Sequence, residues 1–378
     1  MNTLNDLIPS LYQGLDIVSR ELVGAIPSVA LNTGAERAAV GQSVRVPITG
    51  EANVDDISPA MVVPEPTAQS VDNAQILITK ARAAEFGVIG EEQRGLNANG
   101  AGWENVQAGM FAQALRKLVN EVELDTAQQF VNASRAYENG ATPFNNTDNL
   151  EATAQLHKIL ADNGSPLNDK QLVIDTTRGA QLRNLYQLTR ANEAGGDSML
   201  RQGVLLDIHG FSIRESAGVR PVTAGTADGD YTVTAAQDAG ATTFAVAGGT
   251  GDFVQGDVVS FAGHDSKYIV QGFSGGELTI ASPGLVADVD AGAAIAVDRA
   301  GGSIMGAFDR NAIQLVTRAP ALPNGQDMAQ DSMMITDDRS GLTFEVRVYY
   351  GYRKVRYEVA LAWGVSTIKP EHMAALVA

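Results

Sequence analysis

From Ala101 to Tyr137 the chain carries the helical pattern that most restricts its fold. Trp103, Val106, Met110, Phe111, Leu115, Leu118, Val122 and Phe130 keep to one broad face, at the spacing of an amphipathic helix. Ala, Gln, Glu and Arg fill much of the remainder, and all are good helix formers. Asn139-Gly140, with Pro143 soon after, supplies a stop signal. At 1.5 Å per residue such a helix would be roughly 55 Å long, more than a small domain needs. The fold is therefore expected to be built along a stiff spine.

The segments before the spine read as arms. Over residues 3–26, Leu4, Leu7, Ile8, Leu11, Leu15, Val18, Leu22 and Ile26 fall at helical spacing, with Pro9 and Gly14 predicting a kink. From Gly41 the pattern changes to a short strand, SVRVPI. A stretch rich in Pro, Asp and small residues follows, TGEANVDDISPAMVVPEPTAQSV, without a period. AQILITKARAAEFGVI then runs extended. Two strands joined by a long unpatterned tip predict a projecting β-arm, because loops beyond about 12–15 residues are uncommon unless functional or disordered.

After the spine, NLEATAQLHKILADNG is a short helix stopped by Gly164 and Pro166, QLVIDTT is a buried-type strand, RGAQLRNLYQLTRAN a second helix and LLDIHGFSIRES a strand–turn–strand. Together they predict an α+β layer. Composition then shifts. Residues 222–300 hold 13 of the 39 glycines and ten acidic residues against two basic ones, so −8 of the chain's net charge of −17. Six short strand candidates (YTV, TTFAV, DVVSFAG, KYIVQGF, ELTIAS, AAIAVD) are separated by Gly, Asp and Ser. That spacing predicts a small antiparallel barrel or sandwich, reached through Arg220-Pro221 and left through Ala300-Gly301-Gly302. Beyond it, AIQLVTRAP reads as a strand and ALPNGQDMAQDS as a loop. Residues 342–363 alternate with period two through Leu342, Phe344, Val346, Val348 and Tyr350, then Val355, Tyr357, Val359, Leu361 and Trp363. Residues 369–378 read as a short amphipathic tail.

Sites of chemistry are sparse. With 378 residues, two to three domains are expected. No cysteine is present, which excludes disulfides and thiolate metal sites and favours cytosolic synthesis. No apolar run of about 18 residues predicts a membrane span, and MNTLNDLIPS lacks the pattern of a secretory signal. A net charge of −17 makes the chain a poor general binder of nucleic acid. His157, His209, His264 and His372 share no metal-type spacing. Gly263-His264-Asp265-Ser266 reads as a polar turn, since a triad is assembled in space rather than from adjacent turn residues. Gly249 with Gly251, and Gly100 with Gly102, each lack the third glycine of a dinucleotide fingerprint. Asp228 with Asp230, and Asp288 with Asp290, lack the EF-hand glutamate and read as solvated turns. The sequons at Asn132 and Asn145 mean nothing without secretion. Arg353, Lys354 and Arg356 form a basic knot for which ion pairing is expected over phosphate binding. The expectation is therefore no catalytic, cofactor-binding or metal-ligating residue, no cofactor, and a chain that is not an enzyme.

The order of parts carries a resemblance. A helical arm, a two-stranded arm, a spine helix, an α+β layer, an inserted β-module and return strands follow one another. With LRQGVLLDIHGFSIRES before the insertion, GDVVSFAG within it, AFDRNAIQLVTR after it and VRYEVALAWGVSTIKPEHMAALV at the end, the chain resembles the major capsid proteins of tailed bacteriophages with the HK97 fold. The insertion narrows the resemblance to the P22-type coat proteins. It implies an α+β fold with an N-terminal helical arm (1–40), an E-loop β-arm (41–90), a P-domain with the spine helix (91–145 and 301–378, including part of the A-domain return strands), an A-domain (146–221) and an inserted small antiparallel β-barrel, the I-domain (222–300). It further implies hexamers and pentamers of one chain in an icosahedral shell within the virion. The shell would enclose double-stranded DNA without sequence-specific binding. Scaffolding and portal proteins would act during assembly, a decoration protein could bind, and no membrane would be involved. Some such shells form Lys–Asn crosslinks, and Lys80 is the only lysine in 41–90. The alternatives are an encapsulin-like cargo shell, a β-rich phage surface or decoration protein or adhesin, and an enzyme whose triad forms only in space.

Overall fold

A computed structural model describes residues 23–49, 71–98, 102–138, 142–145, 150–166, 168–185, 188, 207–299, 301–323, 327–337 and 340–378. The helical pattern expected before Val23, the arm tip at 51–70 and residues 186, 187 and 189–192 of the helix expected over 178–192 lie outside these residues.

Helix α1 (Gly90–Ala98) leads into the spine, α2 (Trp103–Ala127). Gly102 takes a φ of 73° at the junction, a conformation glycine adopts without a Cβ penalty. The spine buries Trp103, Gln107, Phe111, Leu115, Leu118 and Val122, an i, i+4 stripe with one i, i+3 step, while Met110 is exposed. Its 25 residues span about 37 Å rather than the 55 Å expected. Gln128–Asn132 tightens into a 3-10 turn, and Arg135–Tyr137 becomes a strand, β5. Tertiary contacts overrule the local preference here. The Phe130 ring packs 5.4 Å from Phe308 and lies where any side chain on Gly306 would sit, and β5 is claimed by a sheet. Leu118 is 2% exposed, so Leu118→Ala is expected to cost about 2–5 kcal/mol, read as a lower thermal midpoint and a lower soluble yield.

One sheet lies against the spine. Its axis is the 14-residue strand β19 (Lys354–Thr367). One edge of β19 carries β4 (Lys80–Ile89), from Lys354↔Ile89 to Trp363↔Lys80. The other carries β18 (Thr343–Gly351) along its first half and β16 (Ile313–Pro320) along its second. Strand β1 (Ala30–Ala38) pairs parallel to β16, and β17 (Asp331–Thr336) pairs antiparallel to β18. The first two residues of β17, Asp331 and Ser332, fall in the stretch expected as a loop. The alternating residues Phe344, Val346, Val348, Tyr357, Val359, Leu361 and Trp363 are all buried. Phe86, Phe111 and Tyr357 meet at ring distances of 4.8–5.4 Å, joining spine to sheet. Among the described residues, strands β2 (Ser43–Thr49) and β3 (Val71–Leu77) pair only with each other, as a two-stranded ribbon.

The second sheet begins β7 (Phe211–Glu215), β6 (Lys170–Ile174), β15 (Gly302–Asp309), β20 (Met373–Val377), β5. Helix α3 (Glu151–Asp162) buries Ala152, Leu156 and Leu160 in the same cluster as Leu172 and Ile174, and α4 (Thr176–Arg183) follows β6. Two elements depart from expectation. The supposed amphipathic tail contains β20, whose five residues are all buried between β15 and β5. Gly302–Asp309, expected to begin as a linker, is a strand with six consecutive buried residues.

From β5 the sheet continues without interruption, through Lys267↔Ala136, into β12 (Lys267–Ser274). All six strand candidates between 222 and 300 are strands: β9 (Thr232–Val233), β10 (Thr243–Ala247), β11 (Val258–Phe261), β12, β13 (Glu277–Ile280) and β14 (Ile295–Arg299). They pair in the order β9-β10-β13-β12-β11-β14, and a bridge between Thr232 and Ala294 brings β9 beside the approach to β14. Phe244, Phe261, Tyr268, Leu278, Ile280 and Ile295 form a buried cluster of their own inside. A short strand β8 (Pro221–Val222) pairs with the start of β15 at the stem.

Candidate functional site

Among the described residues the histidines do not gather into a metal-type cluster. His264 sits in the turn between β11 and β12, after Gly263 with φ 88°, and its Nε2 lies 3.0 Å from the Asp288 carbonyl oxygen. His372 ends a 3-10 turn before β20. His209 Nδ1 is 2.8 Å from the Thr153 hydroxyl. His157, on α3, packs edge-on to Phe211 at 6.3 Å. Burial, and then the charges of Lys170 and His209, hold the His157 imidazole below its ordinary pKa. A lowered folded-state pKa means stability that is complete above the unfolded value, about 6.5, and lost as pH falls through the folded one. His157→Gln is therefore expected to flatten the decline in thermal midpoint between pH 7.5 and pH 5, leaving the pH 7.5 value nearly unchanged.

The aspartate pairs act as turn ties. Asp228 accepts from the Thr250 amide at 2.9 Å and from its hydroxyl, and Asp288 accepts from the Ala239 amide at 2.8 Å. Gly249 packs against the Tyr231 ring and Gly251 takes a φ of 81°. Asn132 contacts Gln129 and Thr367, and Asn145 donates to the Thr142 carbonyl. In the basic knot, Arg353 turns the chain with φ 56° and lies 5.8 Å over the exposed Tyr352 ring. Arg356 pairs with Glu85 and Glu358. Lys80 is tied to its own spine: Asp125 accepts from its ammonium at 2.7 Å and from the Trp363 indole at 2.8 Å. Among the described residues no three His, Asp or Glu side chains gather to hold a metal, and no helix is long and apolar enough to cross a membrane. A hollow of about 350 Å³ at the foot of the arm is lined by Pro47, Asp309, Gln314, Lys369 and His372 among others, with no hydroxyl among its side chains.

What the structure does build is a set of polar ties between its parts, all missed by pattern reading. Asp257, 1% exposed, accepts from Gly225 at 3.1 Å, from Val254 at 2.8 Å and from Gly301 at 2.9 Å. One carboxylate thus gathers the incoming and outgoing linkers of residues 222–300. Lys267 reaches Glu138 at 2.9 Å and Asp298 at 3.1 Å, clamping that module to β5 where the second sheet passes into it. Glu345, 2% exposed, receives two bonds from Arg37, at 2.6 and 2.9 Å, and one from Arg347 Nε at 2.9 Å. Arg347 also meets Asp327, which accepts from the Tyr349 hydroxyl at 2.7 Å. Burial raises the Glu345 pKa, but the bonds from Arg37 and Arg347 outweigh it and hold the carboxyl below its ordinary range. The arrangement ties strands and modules to one another through buried polar groups.

No family model matches the sequence, and no curated protein matches it. Solved structures do. A chain in the capsid structure of the cyanophage P-SCSP1u superposes with a TM-score of 0.50 at 13% identity, over 93% of this chain and 86% of that one. This chain has a phage capsid-protein fold. A chain from Mycobacterium phage Che8 aligns at 15% identity over 90% of this chain and 88% of that one, with a TM-score of 0.47. One from the mature capsid of bacteriophage PhiM1 aligns at 11% identity over 93% and 85%, with a TM-score of 0.46.

Proposed function

We propose that the chain is a major capsid protein that assembles into an icosahedral shell around a phage genome. The observation that carries this is the likeness to the cyanophage capsid chain, which runs through nearly the whole of both chains rather than one module. The ties described above support a load-bearing rather than catalytic role. The net charge of −17 suits a wall that encloses DNA without adhering to it. Hexamers and pentamers of this chain would close the shell through heterologous contacts, with scaffolding and portal proteins acting during assembly and a decoration protein as a further partner. The virion is the place of function.

Within this reading the fold is of the HK97 type. Residues 1–40 would hold the N-arm, 41–90 the E-loop, 91–145 with 301–378 the P-domain and part of the A-domain, 146–221 the A-domain, and 222–300 an inserted barrel; within the first two, Ala30–Ala38 and Lys80–Ile89 are strands of the sheet on the spine rather than helix or projecting arm. The ribbon β2–β3, paired with nothing else among the described residues, supports the E-loop assignment. The return of pairing from β14 towards β9 and the separate apolar cluster support the barrel. The chain expressed alone, and with a scaffolding protein, is expected to give closed particles in sedimentation and negative-stain microscopy. Soluble monomer under all such conditions would overturn the reading, and particles loaded with a companion enzyme would convert it to a cargo shell. Residues 222–300 produced alone are expected to give a dispersed β-type NMR spectrum and a cooperative melt; a disordered spectrum would remove the barrel's standing as a folding unit.

A further inference from the structure

Glu123 lies four residues before the end of the spine helix, on its buried side, 3% exposed. Among the described residues it forms no ion pair. Its carboxylate instead faces a cluster of donors. Oε1 accepts from the amides of Gly24 at 2.8 Å and Ala25 at 2.7 Å, and Oε2 accepts from the amide of Ile26 at 2.9 Å. The Ser216 hydroxyl also donates to Oε1, and the same hydroxyl accepts from the Gly218 amide at 3.0 Å. Three chain segments remote in sequence meet here: the spine, the stretch that opens the described chain, and the loop leaving β7 towards the stem at Pro221.

The contact is close on every side. A side chain on Gly24 would stand 2.4 Å from the Glu215 carbonyl oxygen, and one on Gly218 would stand 3.0 Å from Glu123 Cγ. Ser28, wholly buried, donates to the Gly24 carbonyl at 2.6 Å. Residues 24–26 precede the first strand and have no ladder to satisfy their amides, so buried donors there require a side-chain acceptor. Three consecutive amides pointing the same way form an anion-binding concavity. A carboxylate fills it with two acceptor oxygens and no hydrogen of its own. A neutral amide would turn one donor against these donors, and an apolar side chain would leave them unpaired.

We propose that Glu123 is the positioning residue of the amino-terminal arm, fixing the place on the spine from which the chain before Gly24 departs. The proposal rests on the shell-subunit reading, in which arms must leave the body at a set point to meet a neighbour. It assigns a second duty to the helix, as the mount of that arm as well as the backbone of the subunit. Because the same carboxylate holds Ser216, the mount is also tied to the stem of the inserted module.

The test uses the full chain as Glu123→Gln and, separately, Gly24→Ala, which keeps the carboxylate but pushes the segment from Glu215. Hydrogen exchange and particle assembly are both read. Each variant is expected to keep its circular dichroism and to exchange the amides of 24–26 about tenfold faster or more, the effect of losing one or two hydrogen bonds. Each is expected to form few closed shells, while Glu123→Asp retains more of both properties. Unchanged protection at 24–26 in Glu123→Gln would overturn the anchor itself. Faster exchange with a normal yield of closed shells would overturn its role in assembly. Should Glu123→Gln fail to fold, Gly24→Ala decides both points. If wild type forms no shells, the functional reading falls and the exchange experiment still judges the anchor.

Discussion

Replacing residues 52–69 with a short Gly-Ser turn is expected to leave the subunit folded and to abolish closed shells. The ribbon of β2 and β3 is fastened at its foot: Ile76 and Ile78 are fully buried in one cluster with Ala38, Val316 and Ala362. Gly364 admits the chain there, since a Cβ would lie 2.0 Å from the Leu77 carbonyl oxygen. The replacement spares all of this. The removed stretch contains Pro59, Pro64 and Pro66, few large apolar residues and no period. Ordering each of its residues costs about 1–2 kcal/mol of backbone entropy, and an isolated two-stranded ribbon is marginal in water. On the proposed shell reading, its use would lie between subunits, where another chain would supply the buried surface. Circular dichroism and the thermal midpoint of the variant are expected to match wild type. Sedimentation and microscopy are expected to show capsomers or irregular sheets. Normal particles would make the tip dispensable; an unfolded subunit would make it part of the core.

Glu345→Ala is expected to cost about 3–5 kcal/mol, the range for removing one partner of a buried ion pair. The cost comes from what remains. Arg347 is 5% exposed and keeps Asp327, but Arg37 loses both of its carboxylate bonds, and β1 loses its polar tie to β18. A large fall in the urea midpoint is the readout, and a change smaller than about 1 kcal/mol would mean that solvent reaches the cluster. The same network sets an acid limit. A carboxylate held below its ordinary pKa contributes stability that is complete above the unfolded value, about 4.3, and disappears as pH falls through the folded one. The stability gap between wild type and Glu345→Gln is expected to be constant from pH 7 to pH 5 and to close below about pH 4.

The parts of this protein that its sequence determined are those with one face buried and one face wet. The stripe from Trp103 to Val122, the alternation from Leu342 to Trp363 and the six short strands between 222 and 300 all carry a period, because a period records one-sided burial. The order of those parts was enough to point to a capsid-type fold. Tertiary structure alone decided the rest. Met373–Val377 and Gly302–Asp309 are covered on both sides, so their residues do not alternate and look like a tail and a linker. The spine stops at Ala127 because Phe130 and β5 find partners more than 150 residues away, in Phe308 and β20. The carboxylates of Glu123, Asp257 and Glu345 resemble any surface acid in one dimension. They are buried only because donors from Gly24, Gly301 and Arg37 are brought to them by the fold, and no local pattern encodes a partner that arrives from a distance of 44 to 308 residues.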